Sequence, residues 1–368
     1  MRVNQRITSL SPYKPGKPVD ELTRELGITD IVKLASNENP RGPGAPVRQA
    51  IEATLAGLAR YPDGNGFRLK QALAGRLGVT PERITLGNGS NDVLDLAATM
   101  ALEPGATGVI AEHAFVVYRI AITVCGGRLV EVPAKDYGAD LDAMLAAVGD
   151  DTAIVFLANP NNPTGTWVTE AALTAFLDAL PAHVWMVLDE AYFEYVDAPG
   201  YPDGIRLLER YPNLIVTRTF SKIYGLAGLR VGYAVSSPEA ADLMNRVREP
   251  FNVNSLALAG AEAALADDAY LEESRRLNRT GMADITAGLD ALDLAHIPSA
   301  GNFVTFAVPE AFGTGATAPA DAVFQALLRE GVIVRPVAEY GLPRHLRVTV
   351  GLAEENARFL EALRRVLG

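Results

Sequence analysis

The sequence predicts an α/β fold, with a large domain built on a mostly parallel sheet and a smaller α+β domain. Three observations lead there. Between about residues 107 and 235, apolar runs of strand length alternate with helical patterns. Those runs are nearly continuous rather than alternating, which is the pattern of strands covered by helices on both faces. The length of 368 residues exceeds what one hydrophobic core usually serves.

Residues 1–40 are rich in Pro, Gly and Asn and read as an extended arm with one short helix at about Asp20 to Leu26. A helix is expected from about Pro46 to Leu58, with proline in the first turn where its missing N–H costs nothing, and another from Phe67 to Leu77. LGNGSNDVLDLAA, residues 86–98, sets a Gly/Asn turn directly before a helix. The strands then follow as TGVIAE near 107, RLVEV near 128, TAIVFLA near 152, HVWMVLDE near 183, NLIVTRT near 213 and LRVGYAV near 229. From about Asn254 a long helical pattern runs through EESRRLNR. The last third holds the strands NFVTFAV, GVIVRPV and LRVTVG, with helices near 320 and 355. The expected division is an arm at 1–40, a large domain at 41–255 and a small domain at 256–368 that the arm joins.

With 49% hydrophobic and 21% charged residues the chain is an ordinary globular protein. A formal charge of −11 argues against broad attraction to nucleic acid or anionic lipid, so anionic ligands must be met by particular arginines. The single cysteine, Cys125, rules out an internal disulfide and a cysteine zinc site. His113, His183, His296 and His345 lack ligand spacing, so no metal is expected. No run resembles a signal peptide or a membrane span, and the expected location is the cytoplasm.

The chemistry concentrates in TFSKIYGLAGLRVGY, residues 219–233. Thr219 and Ser221 offer hydroxyls and Arg230 a forked cation for a phosphate, while Lys222 places a primary amine among them. An amine near other cations or in an apolar pocket loses part of its preference for the charged form, which suits Schiff-base chemistry. In GNGSN the backbone N–H groups of Ser90 and Asn91 would point from a helix N-terminus at an anion. NPNNPTG, residues 159–165, leaves the amide of Asn162 at a strand's carboxyl end, where ligands of open α/β sheets collect. HVWMVLDEAY ends a buried strand on Asp189, a carboxylate that needs a positive partner such as a protonated pyridine nitrogen. Glu190 should face the other way and act structurally. Taken singly, these are a surface lysine, a capped helix, a turn and a strand-end aspartate.

In the order GNGSN, NPNNPTG, DEAY, TFSK and AGLR, they resemble the fold-type I, pyridoxal 5′-phosphate-dependent aminotransferases of class I and II. SPYKPGKPVDELTRELG, IVKLASNENPRG and RYPDGNG further resemble the histidinol-phosphate aminotransferases. The resemblance implies catalytic roles for Lys222 as the Schiff-base lysine, Asp189 at the ring nitrogen and Tyr192, with Asn162 and Tyr192 at the phenolic oxygen. It implies a phosphate held by Ser90, Asn91, Thr219, Ser221 and Arg230, and a ring stacked on Phe115. Tyr61 would reach the partner's cofactor in a homodimer with shared sites. Tyr13, Asn37, Asn162, Arg335 and Arg347 would meet the substrate. The implied reaction is reversible ping-pong transfer from histidinol phosphate to 2-oxoglutarate, giving imidazole acetol phosphate and glutamate in histidine biosynthesis. An aromatic amino-acid aminotransferase and a non-catalytic cofactor-binding regulator are the alternatives. Two positions depart from the pattern: Arg41 follows Asn37-Glu38-Asn39-Pro40, and Phe115 stands where tyrosine is frequent.

Overall fold

A computed structural model describes residues 3–12, 15–313 and 317–368. The arm forms a helix at Val19–Leu26, stopped by Gly27 in the left-handed conformation, and a two-residue strand β1 (Val32–Lys33). Leu22 of that helix is buried with Ala35, Leu328 and Ile333, so the arm is fixed to the C-terminal part of the chain.

Seven strands make the large sheet: β2 (Ile84–Gly87), β3 (Thr107–Ala111), β4 (Arg128–Val132), β5 (Thr152–Ala158), β6 (Trp185–Asp189), β7 (Leu214–Thr219) and β8 (Gly232–Val235). Their order is β2-β8-β7-β6-β5-β3-β4; β8 runs against both neighbours and the remaining pairs are parallel. All six expected strands of this part form, and β2 is added to them. The continuous apolar runs have a simple cause. Along β5, β6 and β7, Val155, Leu157, Met186, Leu188, Leu214 and Val216 enter one core, while Ile154, Phe156, Val187 and Ile215 enter another on the opposite face. Each such side chain contributes about 1.5–3 kcal/mol on burial, so both faces must stay apolar.

The expected helix at Pro46 to Leu58 is α-helical over Ala45–Thr54 and tightens into a 3-10 turn at Leu55–Gly57. The helical pattern after Asn254 is two helices, Ser255–Leu265 and Asp268–Asp290, divided where the Asp267 side chain accepts from the Tyr270 N–H. Ala257, Ala261, Ala264 and Leu265 join the core of the large sheet, so a cut at 255/256 falls after the first residue of a helix that packs with that sheet.

The C-terminal part contains β9 (His296–Ile297), β10 (Phe303–Ala307), β11 (Val332–Ile333), β12 (Arg335–Pro336) and β13 (His345–Thr349). An antiparallel sheet runs in the order β12-β13-β10-β9, and β11 pairs in parallel with β1 of the arm. Val32 and Leu34 of the arm share a core with Ile285, Leu289, Phe306 and Phe359. Ala158, Asp189 and Thr217 are register partners across β5, β6 and β7, which brings the carboxyl ends of the central strands to one place.

Candidate active site

At one end of the pocket, β2 turns through Gly87 and Gly89 into the helix Ser90–Ala101, and no side chain caps that helix. Its first N–H groups therefore face the pocket at the positive end of the helix. Gly89 has φ 82 and ψ 166, and a methyl group there would run into the Arg230 guanidinium. A methyl group on Gly232 would strike the backbone N of Ser90. These two glycines let helix start, arginine and β8 crowd together. Arg230 follows the 3-10 turn Ala227–Leu229 in the left-handed region, with φ 56. Its Nη1 donates to Ser221 Oγ at 3.2 Å and to Ala227 O at 3.1 Å. Thr219 Oγ1, at the end of β7, accepts from the Ser221 N–H at 3.1 Å. Backbone N–H groups, two hydroxyls and a guanidinium thus gather as an anion cradle.

Asp189 lies at the other end, buried at the tip of β6. Tyr118 donates to its Oδ2 at 2.7 Å, while Thr217 Oγ1 and the Ala191 N–H donate to Oδ1, both at 3.2 Å. Burial pushes this carboxyl above its ordinary range, and the three hydrogen bonds together with the positive Lys222 oppose that rise. Glu190 points to the far side of the sheet, where it is fully buried and ion-paired to Arg218 at 2.7 Å, as the alternation of a strand requires.

Lys222 stands between the two ends. Its Nζ is 3.5 Å from Ser36 O and 5.5 Å from the centre of the Tyr192 ring. Burial, then the nearby Arg347 and Arg230, push the amine down to about 8, against the pull of Glu38 and Asp189. Asn37, with φ 54, donates from Nδ2 to the Tyr192 hydroxyl at 2.8 Å and from its N–H to Thr349 Oγ1 at 2.9 Å. It thereby ties the arm, the large sheet and β13 together at the pocket. Asn162 accepts a hydrogen bond from Arg347 Nη1, and Arg347 Nη2 donates to Ala35 O at 2.7 Å. Arg335 is the register partner of Arg347 across β12 and β13 and is ion-paired to Glu339. Phe115 sits at the start of the helix Val116–Cys125 with its ring edge-on to Tyr118, centroids 5.9 Å apart.

Ser90, Asn91, Phe115, Asn162, Asp189, Tyr192, Thr219, Ser221, Lys222, Arg230, Asn37, Arg335 and Arg347 all line this one pocket. Tyr61 does not: it is 82% exposed and stacks on Phe251 at 4.7 Å. Tyr13 lies outside the described residues. Arg41 lies over the Tyr270 ring, donates to Tyr270 O at 3.0 Å, and is not part of the pocket wall. The pocket also takes in Tyr118, Tyr340 and Ser36, which the sequence did not single out. For Tyr118 a signal existed, since it falls three residues after Phe115 on one helix and so faces the same way.

Comparison with known proteins places the chain in a family. The family model for aminotransferase class I and II matches residues 29–363. Histidinol-phosphate aminotransferase 2 of Pseudomonas fluorescens strain Pf0-1 is 58% identical over 363 residues, covering 98% of this chain and 96% of the relative. Histidinol-phosphate aminotransferase 1 of Nitrosococcus oceani is 54% identical, covering 98% and 95%. The crystal structure of histidinol-phosphate aminotransferase from Sinorhizobium meliloti in complex with pyridoxal-5′-phosphate superimposes with a TM-score of 0.90 at 34% identity, covering 100% of this chain and 97% of that one. Aspartate aminotransferase from Thermus thermophilus, at 24% identity and a TM-score of 0.83, shares the fold. The chain belongs to the class I and II aminotransferases, among the histidinol-phosphate aminotransferases.

Proposed function

We propose that this protein transfers the amino group of histidinol phosphate to 2-oxoglutarate, with pyridoxal 5′-phosphate attached to Lys222. The observation that carries the reading is one pocket with an anion cradle at one end, a buried carboxylate at the other and a lysine of lowered basicity between them. That donor set fits the cofactor at three points. The N–H groups of Ser90 and Asn91, with Thr219, Ser221 and Arg230, would hold its phosphate. Asp189 would face the ring nitrogen. Tyr192, and Asn162 through the Nδ2 left over when Oδ1 accepts from Arg347, would face the phenolic oxygen. Phe115 would cover a face of the ring.

When bound, the cofactor supplies a sink for the electron pair left on a substrate carbon that loses its proton. The protein supplies the rest. Lys222 Nζ would take the proton from the substrate Cα and hold it for return, a task that suits an amine near 8. Arg335 and Arg347 meet the substrate's anionic group, and in a ping-pong cycle the same pair serves the phosphate of one substrate and a carboxylate of the other. Tyr192 is held for its part by Asn37 at 2.8 Å.

We also infer a homodimer in which Tyr61 is lent to the neighbouring site, because the exposed Tyr61–Phe251 stack is apolar surface that a partner would cover. The arm-plus-two-domain division and a cytoplasmic location belong to the same reading; no helix among the described residues is long and apolar enough to cross a membrane. Curated relatives 52–59% identical to the chain carry the histidinol-phosphate name, which favours this donor over aromatic amino acids and over a role without turnover.

Steady-state kinetics with 2-oxoglutarate as acceptor tests the proposal. Histidinol phosphate should have a kcat/KM at least about a hundredfold above phenylalanine and tyrosine, equivalent to roughly 2.7 kcal/mol of preference. A preference for the aromatic acids overturns it. Lys222→Ala should lose both turnover and borohydride-reducible attachment of the cofactor.

A further inference from the structure

Tyr118 is fully buried, and its ring is fixed by stacking on Phe156, with centroids 5.0 Å apart and planes 11° from parallel, and by the edge contact with Phe115. Its hydroxyl lies 2.7 Å from Asp189 Oδ2. Burial and the adjacent carboxylate push that phenol well above its ordinary range, so the hydroxyl keeps its proton and acts as the donor. The other carboxylate oxygen is served by Thr217 from β7 and by the Ala191 N–H, both through longer bonds of 3.2 Å. Lys222 is the charged group that faces Asp189 from the neighbouring loop.

A hydrogen bond given to a carboxylate stabilises the anion and lowers its hunger for a proton. Asp189 would share a proton with the cofactor's ring nitrogen, so its own basicity decides where that proton rests. We infer that Tyr118 is a positioning residue that holds the proton on the cofactor's ring nitrogen by donating to Asp189 and keeping it a carboxylate. The phenol touches neither substrate nor proton. It acts through Asp189 alone, and it is the shortest hydrogen bond to that carboxylate among the described residues.

The inference rests on the pyridoxal phosphate reading, and one experiment separates the two. Holoenzyme is prepared with cofactor labelled with nitrogen-15 in the ring, and the ring-nitrogen resonance is followed against pH. In the unaltered protein the resonance should be that of a protonated ring at neutral pH, and Asp189→Ala should abolish it. Tyr118→Phe, which keeps the stacking and removes one oxygen, should move the shared proton towards Asp189 by about tenfold in the equilibrium between the two, read at neutral pH as a resonance displaced towards that of an unprotonated ring. Replacing Tyr118 by 3-fluorotyrosine, a slightly larger ring with a more acidic hydroxyl, should displace the resonance the other way, towards that of the fully protonated ring. A role in packing alone would not give shifts of opposite sign. If the unaltered protein shows the protonated ring and Asp189→Ala abolishes it, but neither Tyr118 replacement moves the resonance, the inference fails and the cofactor reading stands. If Asp189→Ala leaves the resonance untouched, both fail.

Discussion

Lys222 shows how surroundings turn an ordinary side chain into a reagent. Its amine falls to about 8 in the folded protein from an ordinary value of 10.5, because it is buried and faces Arg347 and Arg230. Between those two values the unfolded chain binds a proton that the folded chain does not, so the stability of the cofactor-free protein rises with pH across that window. Below about 8 the penalty is present in full. Cofactor-free Lys222→Met should therefore be more stable than the parent at pH 7, by up to about 3 kcal/mol, with the advantage shrinking towards pH 10.5. Thermal melts of both proteins at the two pH values check this; an advantage that stays constant would contradict it. Arg230 should show its weight in cofactor retention. Arg230→Gln removes the charged donor proposed for the phosphate and should weaken cofactor binding about tenfold or more, measured by titrating the cofactor into the stripped protein.

At the scale of elements, the glycine turn before the helix Ser90–Ala101 does two things at once. Gly89 adopts φ 82 and ψ 166, a conformation that essentially only glycine takes, and its missing side chain leaves room for Arg230. Gly89→Ala should thus cost roughly 1–3 kcal/mol of stability and also weaken cofactor binding about tenfold. Gly78, at the end of the helix Phe67–Leu77, has φ 69 with open space around it. Gly78→Ala should cost about 1 kcal/mol and leave cofactor binding alone. Melting and cofactor titration on both variants separate backbone strain from loss of the cradle.

The same scale explains what the sequence could reveal. β5, β6 and β7 were legible because both faces are buried, which leaves a run of apolar residues too continuous to miss. β2 and β9, of four and two residues, carry too short a pattern to stand out from the turns beside them. Ser90, Asp189, Lys222 and Arg230 of the candidate site were legible through their motifs, since they sit at strand ends and turns where polar residues need a reason. Tyr118 offered only its three-residue spacing from Phe115; inside an apolar helical stretch it reads as core until β6 places Asp189 beside it. The Arg335–Glu339 pair likewise depends on how the 3-10 turn Ala338–Tyr340 folds back on β12.

For the whole molecule, the position of Tyr61 poses a question of assembly. It is outside its own chain's pocket, so any part it plays must be in a neighbour's. Mixing two impaired proteins, Lys222→Ala and Tyr61→Ala, should answer it. In the hybrid dimer the intact lysine of one subunit meets the intact tyrosine of the other, and cofactor affinity should recover at that one site. Recovery in neither mixture nor co-expression would place Tyr61 outside any shared site.

The pocket draws its cations from distant stretches of chain, Arg230 from the turn before β8 and Arg347 from β13, and both act on the amine of Lys222. An anion that settles on Arg347 cancels part of that field and makes the amine more basic. In the cofactor-free protein near pH 8, a simple dicarboxylate should consequently bring a proton with it out of the buffer. The heat released in a calorimeter will then vary with the buffer chosen, in proportion to its ionisation enthalpy, and the slope of that line counts the protons that the ligand never carried.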